Sequence, residues 1–271
     1  MRSVNLRARL KKTEEQARFR QQGQHTVLKQ IRQDPSRIMA LAGMPPDPWQ
    51  ESLLCSDANK IILLCSRQAG KSEVTAALAL QTALLKPRSP ILLLSPSLRQ
   101  SGELFRKVSY QFNQLGRPMP VSAESALRVE FANGSRVVSL PGDEATVRGF
   151  SGVALIIIDE ASRVPDSLYF ALRPMLAVSR GRLVALSTPF GKRGWFHDEW
   201  HGTNQWHRVK ITADEVPRIS DEFLAEERRA LGDRFYLQEY HCTFTEVIDA
   251  VFSYADIQAA LCDDVHPLFE V

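Results

Sequence analysis

Short, strongly apolar runs alternate with helix-forming segments along most of this chain, and this alternation restricts the fold more than any other feature. The runs are Ile61–Cys65, Ile91–Leu94, Val153–Ile158 and Arg182–Leu186. Each is long enough for a strand that is buried on both faces. Helix-forming segments such as Ser72–Leu85 lie between them. The alternation predicts parallel β-α-β units, and therefore an α/β fold with an open, mostly parallel sheet flanked by helices.

Further segments complete the predicted order of elements. Ser97–Leu115 and Asp166–Val178 are predicted to be helices, and Leu127–Leu140 a hairpin that turns at Asn133–Gly134. Open α/β sheets bind their ligands beyond the carboxyl ends of the strands. The residues that follow the apolar runs are therefore the candidates for function.

The N-terminal part of the chain differs in composition from the rest. Residues 1–34 carry nine Lys and Arg and three acidic residues, a net charge of +6, whereas the remaining residues have a net charge of −3. Residues 3–33 contain no Pro and one Gly, which predicts a polar helix. The stretch from Pro35 to Pro48 is predicted to be a linker. A basic arm suits nucleic acid or an acidic partner, and a solvated helix is an equal alternative.

Composition excludes several classes of protein. With 44% hydrophobic and 24% charged residues, the chain resembles ordinary globular proteins. Its longest apolar run has six residues, whereas a membrane-spanning helix needs about 20, so we expect no membrane segment. The basic N-terminus lacks the apolar stretch of a secretory signal. The four cysteines contain no C-x-x-C pair, which favours a reducing, intracellular compartment without a zinc site.

The first predicted strand leads into a phosphate-binding loop. Residues 65–72 follow the pattern G-x-x-x-x-G-K-S, with Cys65 in place of the first Gly. Gly70 lets the backbone approach phosphate oxygens, and Lys71 neutralises the charge of the β- and γ-phosphates. The hydroxyl of Ser72 is a candidate Mg²⁺ ligand, and the start of the next helix favours anions. The pattern therefore predicts nucleotide binding.

Two carboxylates, Asp159 and Glu160, follow the most apolar strand. A buried strand that ends in two acids is costly unless a cation lies nearby. With a phosphate-binding loop upstream, we interpret this strand as a Walker B motif, in which Asp159 holds Mg²⁺ and Glu160 polarises the attacking water. Nucleotide binding alone requires only the aspartate, so the second acid favours hydrolysis.

Other residues near these motifs have two interpretations each. Ser187–Pro189 follows the next strand and either lies beside the γ-phosphate or forms an ordinary turn. Trp49 and Gln50 either contact an adenine or anchor the core. Arg148, which precedes a flexible Gly, is either an arginine finger or a surface residue, and Arg67 is placed to touch phosphate in its own subunit.

The histidines show no spacing typical of a metal site. His197 and His201 are four residues apart, but Glu199 lies in the wrong register for an H-E-x-x-H motif. The segment is therefore predicted to be a surface helix.

Together these motifs resemble the ATPase domain of the large terminase subunit of tailed bacteriophages. The resemblance extends from about Pro48 to Thr245, and the order of the whole set is more specific than any single motif. The adenine motif is Trp49 and Gln50, and the variant Walker A motif is Ser66, Arg67, Gln68, Ala69, Gly70, Lys71 and Ser72. Arg148 carries a separate motif within residues 146–150. Asp159 and Glu160 end the Walker B motif, and Ser187, Thr188 and Pro189 form the coupling motif.

The resemblance implies a P-loop ATPase of the additional-strand, catalytic-glutamate class, which uses ATP and Mg²⁺ to move double-stranded DNA during viral packaging. It also implies a homo-oligomeric ring, in which Arg148 reaches the ATP of the neighbouring subunit and Arg67 senses the nucleotide of its own. The portal protein and the small terminase subunit are the implied partners, and the cytoplasm of the bacterial host is the implied location. Contacts to the phosphate backbone would make the grip on DNA sensitive to salt.

We therefore expect a basic helical arm and linker over residues 1–47, a P-loop ATPase domain over residues 48–246 and a C-terminal linker segment over residues 247–271. The family usually carries a second, nuclease domain. We expect that domain to be absent from this chain, and hence no nuclease activity.

Two other functions stay open at this stage. The chain could be another DNA-dependent ring ATPase of the helicase type, or a non-catalytic prophage remnant that only binds partners. The presence of Lys71, Asp159 and Glu160 argues against a remnant, because a decayed chain is expected to lose such residues.

Overall fold

The computed structural model of the chain describes residues 23–177, 179–246 and 260. The strands within these residues are β1 (Lys60–Cys65), β2 (Pro90–Ser95), β3 (Val121–Ser125), β4 (Arg128–Phe131), β5 (Arg136–Pro141), β6 (Leu155–Asp159), β7 (Arg182–Ser187) and β8 (His207–Ile211). They form one sheet in the order β3-β4-β5-β2-β6-β7-β1-β8. The part from β5 to β8 is parallel, whereas β3 and β4 are antiparallel additions at one edge. The predicted open, mostly parallel sheet is therefore confirmed.

Helices cover both faces of this sheet. They are α1 (residues 23–33), α2 (Arg37–Leu41), α3 (Pro48–Cys55), α4 (Lys71–Leu85), α5 (Leu98–Gln114), α6 (Glu144–Val147), α7 (Asp166–Leu172), α8 (Gly194–His201) and α9 (Asp221–Glu239). Alternate residues of β6 lie on opposite faces of the sheet. Leu155 and Ile157 belong to the core that α2 to α5 cover, whereas Ile156 and Ile158 belong to the core beneath α7 and α8.

The strand β7 lies between β1 and β6, and it is parallel to both. Leu63 of β1 is in register with Leu186 of β7, and Asp159 of β6 is in register with the same Leu186. The carboxyl ends of all three strands therefore meet at one edge of the sheet. This placement brings the loops after β1, β6 and β7 together.

The predicted hairpin is present as β4 and β5, with the turn at Asn133–Gly134. Gly134 has φ +80°, which suits a residue without a side chain. The side-chain amide of Asn133 donates to the carbonyl of Ala83 at 2.8 Å, which ties the turn to the end of α4. The sequence analysis missed β3, whose short stretch Val121–Ser125 is mostly exposed and lacks an apolar run.

Two predicted segments differ in the structure. The predicted linker from Pro35 to Pro48 contains the helix α2, whose residues Ile38 and Met39 are buried in the core. The predicted helix Asp166–Val178 is α-helical only as far as Leu172 and continues as a 3₁₀ turn over Arg173–Leu176. Pro174 lies in that turn and has no N–H to donate, which disfavours continuation of the α-helix.

The N-terminal helix is described in part. Residues 23–33 are helical, as predicted, whereas residues 3–22 of the predicted helix lie outside the described residues. Within the described part of the chain, no helix has the length and apolar character that crossing a bilayer would require.

Ile38 tests whether the predicted linker is part of the core. Its side chain is fully buried, so Ile38→Ala should lower the free energy of unfolding by about 2–4 kcal/mol, because it leaves a cavity. The neighbouring exposed residue supplies the control, and Arg37→Ala should change the free energy by less than about 0.5 kcal/mol. Chemical denaturation measures both. Equal stabilities of the two variants would contradict the packing of α2.

Candidate nucleotide-binding and hydrolysis site

The phosphate-binding loop lies between β1 and α4 and is held from two sides. The backbone N–H of Ser66 donates to the carbonyl of Ile211 in β8 at 2.8 Å, and that of Arg67 donates to the carbonyl of Glu239 in α9 at 3.0 Å. Gln68 and Gly70 adopt left-handed backbone conformations, with φ of 57° and 85°. The loop thus has a fixed curved backbone that leads into the N-terminus of α4, where anions bind favourably.

A close contact, in addition to the backbone angle, favours glycine at position 70. A Cβ atom at this position would lie 2.7 Å from Nε2 of Gln50. That amide nitrogen donates to the carbonyl of Gly70 at 3.2 Å, while Oε1 of Gln50 accepts from the N–H of Asp47 at 2.9 Å. Gln50 therefore connects the start of α3 directly to the phosphate-binding loop.

The predicted adenine motif is placed next to this loop, and each of its residues has a structural contact. Trp49 packs against the core on the side of the sheet that α4 covers, as its anchor interpretation expects. Gln50 is buried and caps α3. Contact of either residue with an adenine stays a prediction.

Ser72 and Asp159 meet at the carboxyl ends of β1 and β6. The hydroxyl of Ser72 lies 3.4 Å from Oδ2 of Asp159. The side chain of Asp159 is buried, and this burial, followed by the negative charge of Glu160, raises its pKa to about 6. Lys71 and the hydrogen bonds from Glu160 N–H and Ser72 oppose that rise. A cation beside these two oxygens would stabilise the charged carboxylate, and a hydroxyl with a carboxylate is a donor set that suits Mg²⁺.

Glu160 stands between two cations. Its carboxylate lies 3.9 Å from Nζ of Lys71 and 3.7 Å from Nε of Arg163. Glu160 also has a left-handed backbone, with φ 52° and ψ 42°, which costs a residue with a Cβ roughly 1 kcal/mol or more. The surrounding structure holds the residue in this strained conformation, and it turns the chain sharply after β6.

The predicted coupling motif lies at the centre of the site, because β7 is the neighbour of both motif-bearing strands. The hydroxyl of Ser187 lies 2.7 Å from that of Ser162, and the hydroxyl of Ser162 donates to the carbonyl of Thr188 at 2.9 Å. Ser162 follows Glu160 by two residues. The end of β7 is therefore hydrogen-bonded to the turn that carries Glu160, while a role of Ser187–Pro189 in coupling stays a prediction.

The two candidate arginines each pair with a carboxylate other than Asp159 and Glu160. Arg67 pairs with Glu239 at 2.9 Å, and its side chain is 63% exposed. Arg148 ends α6, pairs with Glu144 and is 71% exposed. Both guanidinium groups are thus accessible, and their roles at the nucleotide stay predictions.

Sequence reasoning missed several residues that surround the site. Arg163 and Ser162 are brought to it by the turn after β6, and Glu239 by the end of α9. Arg218 forms two hydrogen bonds of 2.7 Å to the carboxylate of Asp47, and this pairing lowers the pKa of Asp47. Arg218 and Asp47 are 171 positions apart, and no local pattern could have indicated this contact.

The helix predicted at His197–His201 is present as α8, and it has both buried and exposed residues. His197 is buried, and its ring centroid lies 5.0 Å from that of Phe244. The pattern missed this because Phe244 comes from a distant segment after α9. His201, at the end of the same helix, is exposed.

Comparisons with known proteins agree with this architecture. The family model "Terminase large subunit, T4likevirus-type, N-terminal" matches residues 62–259. The large terminase subunit of Thermus virus P23-45 is 26% identical over 258 residues, which covers 82% of this chain and 53% of that protein. The large subunit from Escherichia phage T5 is 24% identical over 232 residues, with coverage of 80% and 52%. The chain spans about half the length of these curated relatives.

Solved structures show the same fold. The large terminase ATPase domain of Thermus phage P74-26 matches with a TM-score of 0.68 and 22% identity, covering 76% of this chain and 97% of that domain. The large terminase of a thermophilic bacteriophage, in complex with ADP, matches with a TM-score of 0.64 and 16% identity, covering 74% and 54%. With a family model that matches most of its length, this chain belongs to the T4-like type of the terminase large subunit family, and it carries the N-terminal domain of that family.

Proposed function

We propose that this chain is the ATP-hydrolysing motor domain of a terminase large subunit, and that it drives double-stranded DNA during viral genome packaging. One observation carries the proposal: Ser72 and Asp159 lie together at the carboxyl edge of the sheet, with Glu160 beside them between Lys71 and Arg163. The family match supports it. The terminase of the thermophilic bacteriophage has structures with ADP and with ATP-gamma-S, which supports a nucleotide as the ligand.

The phosphate-binding loop holds the triphosphate. Gln68, Ala69 and Gly70 supply backbone N–H groups that face the phosphate oxygens, and Lys71 neutralises their charge at the start of α4. The N–H groups of Ser66 and Arg67 hold the loop in place through their bonds to β8 and α9. Trp49 and Gln50 bind the adenine at the end of the site nearest α3. Because Gln50 already contacts Gly70, adenine and phosphate recognition are linked through one side chain.

Ser72 and Asp159 are the residues that would hold Mg²⁺. Their oxygens are close enough for both to reach one cation. Mg²⁺ would supply positive charge against the phosphates and keep Asp159 ionised despite its burial.

Glu160 acts as the base that orients and polarises the attacking water. Lys71 and Arg163 hold its carboxylate on either side, and the strained turn after β6 directs it toward the end of the phosphate-binding loop. Ser187 and Thr188 contact this turn through Ser162. A change at Glu160 during hydrolysis would therefore reach β7, which is how the coupling motif acts in this proposal.

The remaining roles belong to the assembled motor. Arg67 senses the nucleotide of its own subunit, and Arg148 reaches the nucleotide of the neighbouring subunit in a homo-oligomeric ring. The exposed positions of both side chains support these roles. We further propose the portal protein and the small terminase subunit as partners, and the cytoplasm of the bacterial host as the location.

Replacement of the base provides the first test of hydrolysis. Glu160→Gln should lower the steady-state rate of ATP hydrolysis by about 10²–10⁴-fold, because an amide cannot accept the proton of the water. Binding of ATP should be kept, whereas Lys71→Ala should weaken both binding and hydrolysis. Phosphate release, with and without linear double-stranded DNA, measures the rates. Glu226→Gln, on an exposed part of α9, is the matched control and should hydrolyse like the unchanged chain.

The hydrolysis rate of Glu160→Gln decides whether Glu160 is the base. Hydrolysis at the original rate in this variant would show that another group activates the water. Stimulation of the unchanged chain by linear DNA would support a DNA-translocating motor.

A mixing experiment tests the role of Arg148 between subunits. Arg148→Ala should hydrolyse little ATP alone, and a mixture with Glu160→Gln should recover part of the activity, because one interface then combines an intact Glu160 with an intact Arg148. A mixture of Lys71→Ala with Glu160→Gln is the control and should recover nothing, since each subunit has a defective site of its own. Failure of the first mixture to recover activity in assembled complexes would contradict a shared site.

A further inference from the structure

A second charged cleft lies at the amino edge of the sheet, opposite the nucleotide site. It is formed where β1, β2, β6 and β7 begin, and its volume is about 340 Å³. The strands between the two edges have about six residues each, which separates the cleft from the nucleotide site by roughly 20 Å. We call it the amino-edge cleft. Its charged residues are Lys86, Arg88, Arg180, Arg182 and Asp57.

The charges of the amino-edge cleft do not balance one another. Four of these side chains are cationic and one is acidic. Among the described residues, Lys86, Arg88 and Arg180 form no salt bridge, whereas most other arginines of the domain pair with a carboxylate or lie over an aromatic ring. Like charges that share a cleft repel each other, so an anion bound there would be stabilised.

Arg182 is the least exposed cation of the cleft and is incompletely hydrogen-bonded. Its Nε donates to the carbonyl of Ala58 at 3.0 Å, but its buried Nη2 has no hydrogen-bond partner among the described residues. Burial lowers the pKa of Arg182, and the charge of Asp57 opposes that shift. A buried guanidinium nitrogen without an acceptor is costly, so Arg182 contributes a positive charge that is only partly compensated beside the cleft, and this charge favours an anion there.

The backbone that carries the two exposed arginines is tightly packed. Arg88 and Arg180 both have left-handed backbone conformations, with φ of 55° and 50°. The N–H of Arg88 donates to the carbonyl of Asn133 in the hairpin turn at 3.1 Å. Next to Arg180, a Cβ on Gly181 would collide with the carbonyl oxygen of Val153, so only glycine permits this approach. The backbone positions that carry these two arginines are therefore fixed.

The uncharged lining of the cleft indicates the kind of anion. It consists of Asn59, Ser89, Gly152, Ala154, Ser179 and Gly181. Small-molecule sites are lined mainly by apolar and aromatic side chains, against which a base or ring packs. This lining has no aromatic or large apolar side chain, while arginine forks suit phosphate oxygens. The cleft thus fits phosphate groups rather than a nucleobase.

We propose that the amino-edge cleft binds phosphate groups in the backbone of double-stranded DNA. The anion chemistry rests on the cleft itself, and the choice of DNA rests on the proposed packaging function. Contacts of this kind are independent of base sequence, as a motor that moves any DNA requires.

Neutralisation of the two exposed arginines tests the cleft. The full chain, with Arg88→Gln and Arg180→Gln combined, is titrated with a fluorescently labelled linear duplex at several salt concentrations. We expect affinity to fall by about tenfold and the slope of log K against log salt to become shallower by about 2, because two phosphate contacts are lost. The control combines Arg228→Gln with Arg229→Gln on α9, which removes the same charge, and should bind within about twofold of the unchanged chain.

Affinity and salt slope unchanged in the cleft variant would overturn the proposal. An equal loss of affinity for a polyglutamate peptide would also overturn it, because it would indicate general attraction of polyanions. If the double variant melts at a lower temperature than the unchanged chain, Lys86→Gln at the exposed end of α4 repeats the test, with an expected slope change of about 1.

Hydrolysis of ATP by the unchanged chain without DNA reports separately on the proposed function. If the unchanged chain hydrolyses ATP and the cleft variant binds DNA as well as the unchanged chain does, only the cleft proposal is contradicted. If the unchanged chain hydrolyses no ATP and the cleft variant binds DNA less tightly, the proposed ATPase activity is contradicted and the cleft proposal is supported.

Discussion

The parallel pairing of β7 with both β1 and β6 is the constraint on which the rest of the site depends. It brings the phosphate-binding loop, the two acids after β6 and the polar residues after β7 to one edge of the sheet. Ser72 lies at the start of the helix that follows β1, and Asp159 ends β6. Although β7 separates these two strands, the two side-chain oxygens are 3.4 Å apart. The hydrogen bonds among Ser162, Ser187 and Thr188 follow from the same strand order.

Charge compensation determines the chemistry at that edge. Asp159 is buried next to Glu160, and the charge of Glu160 adds to the cost of ionising Asp159. Lys71 offsets part of this cost, and Arg163 lies on the other side of Glu160. A site that gathers acids next to a phosphate-binding loop is suited to a nucleotide with its metal ion, and less suited to a neutral ligand.

The two edges of the sheet carry opposite kinds of site in the functions proposed above. The carboxyl edge has carboxylates, a phosphate-binding loop and a strained glutamate, whereas the amino edge has an unbalanced group of arginines and a lysine. The strands β1, β6 and β7 begin at the amino edge and end at the carboxyl edge. If both proposed sites are occupied, a shift in one of these strands would move residues at each of them.

The parallel sheet, the phosphate-binding loop and the two acids after β6 could be predicted from the chain alone, because each is a contiguous pattern with a local physical reason. Buried strands are continuous apolar runs, and Gly70 and Lys71 serve one short loop. Tertiary packing, in contrast, selects the distant residues that complete the site. Arg218 reaches Asp47, Glu239 reaches Arg67, and Arg88 joins Arg180 and Arg182 from a separate loop. These contacts depend on strand order and helix packing. Both are determined by the burial of residues that are far apart in the chain, and no local pattern encodes them.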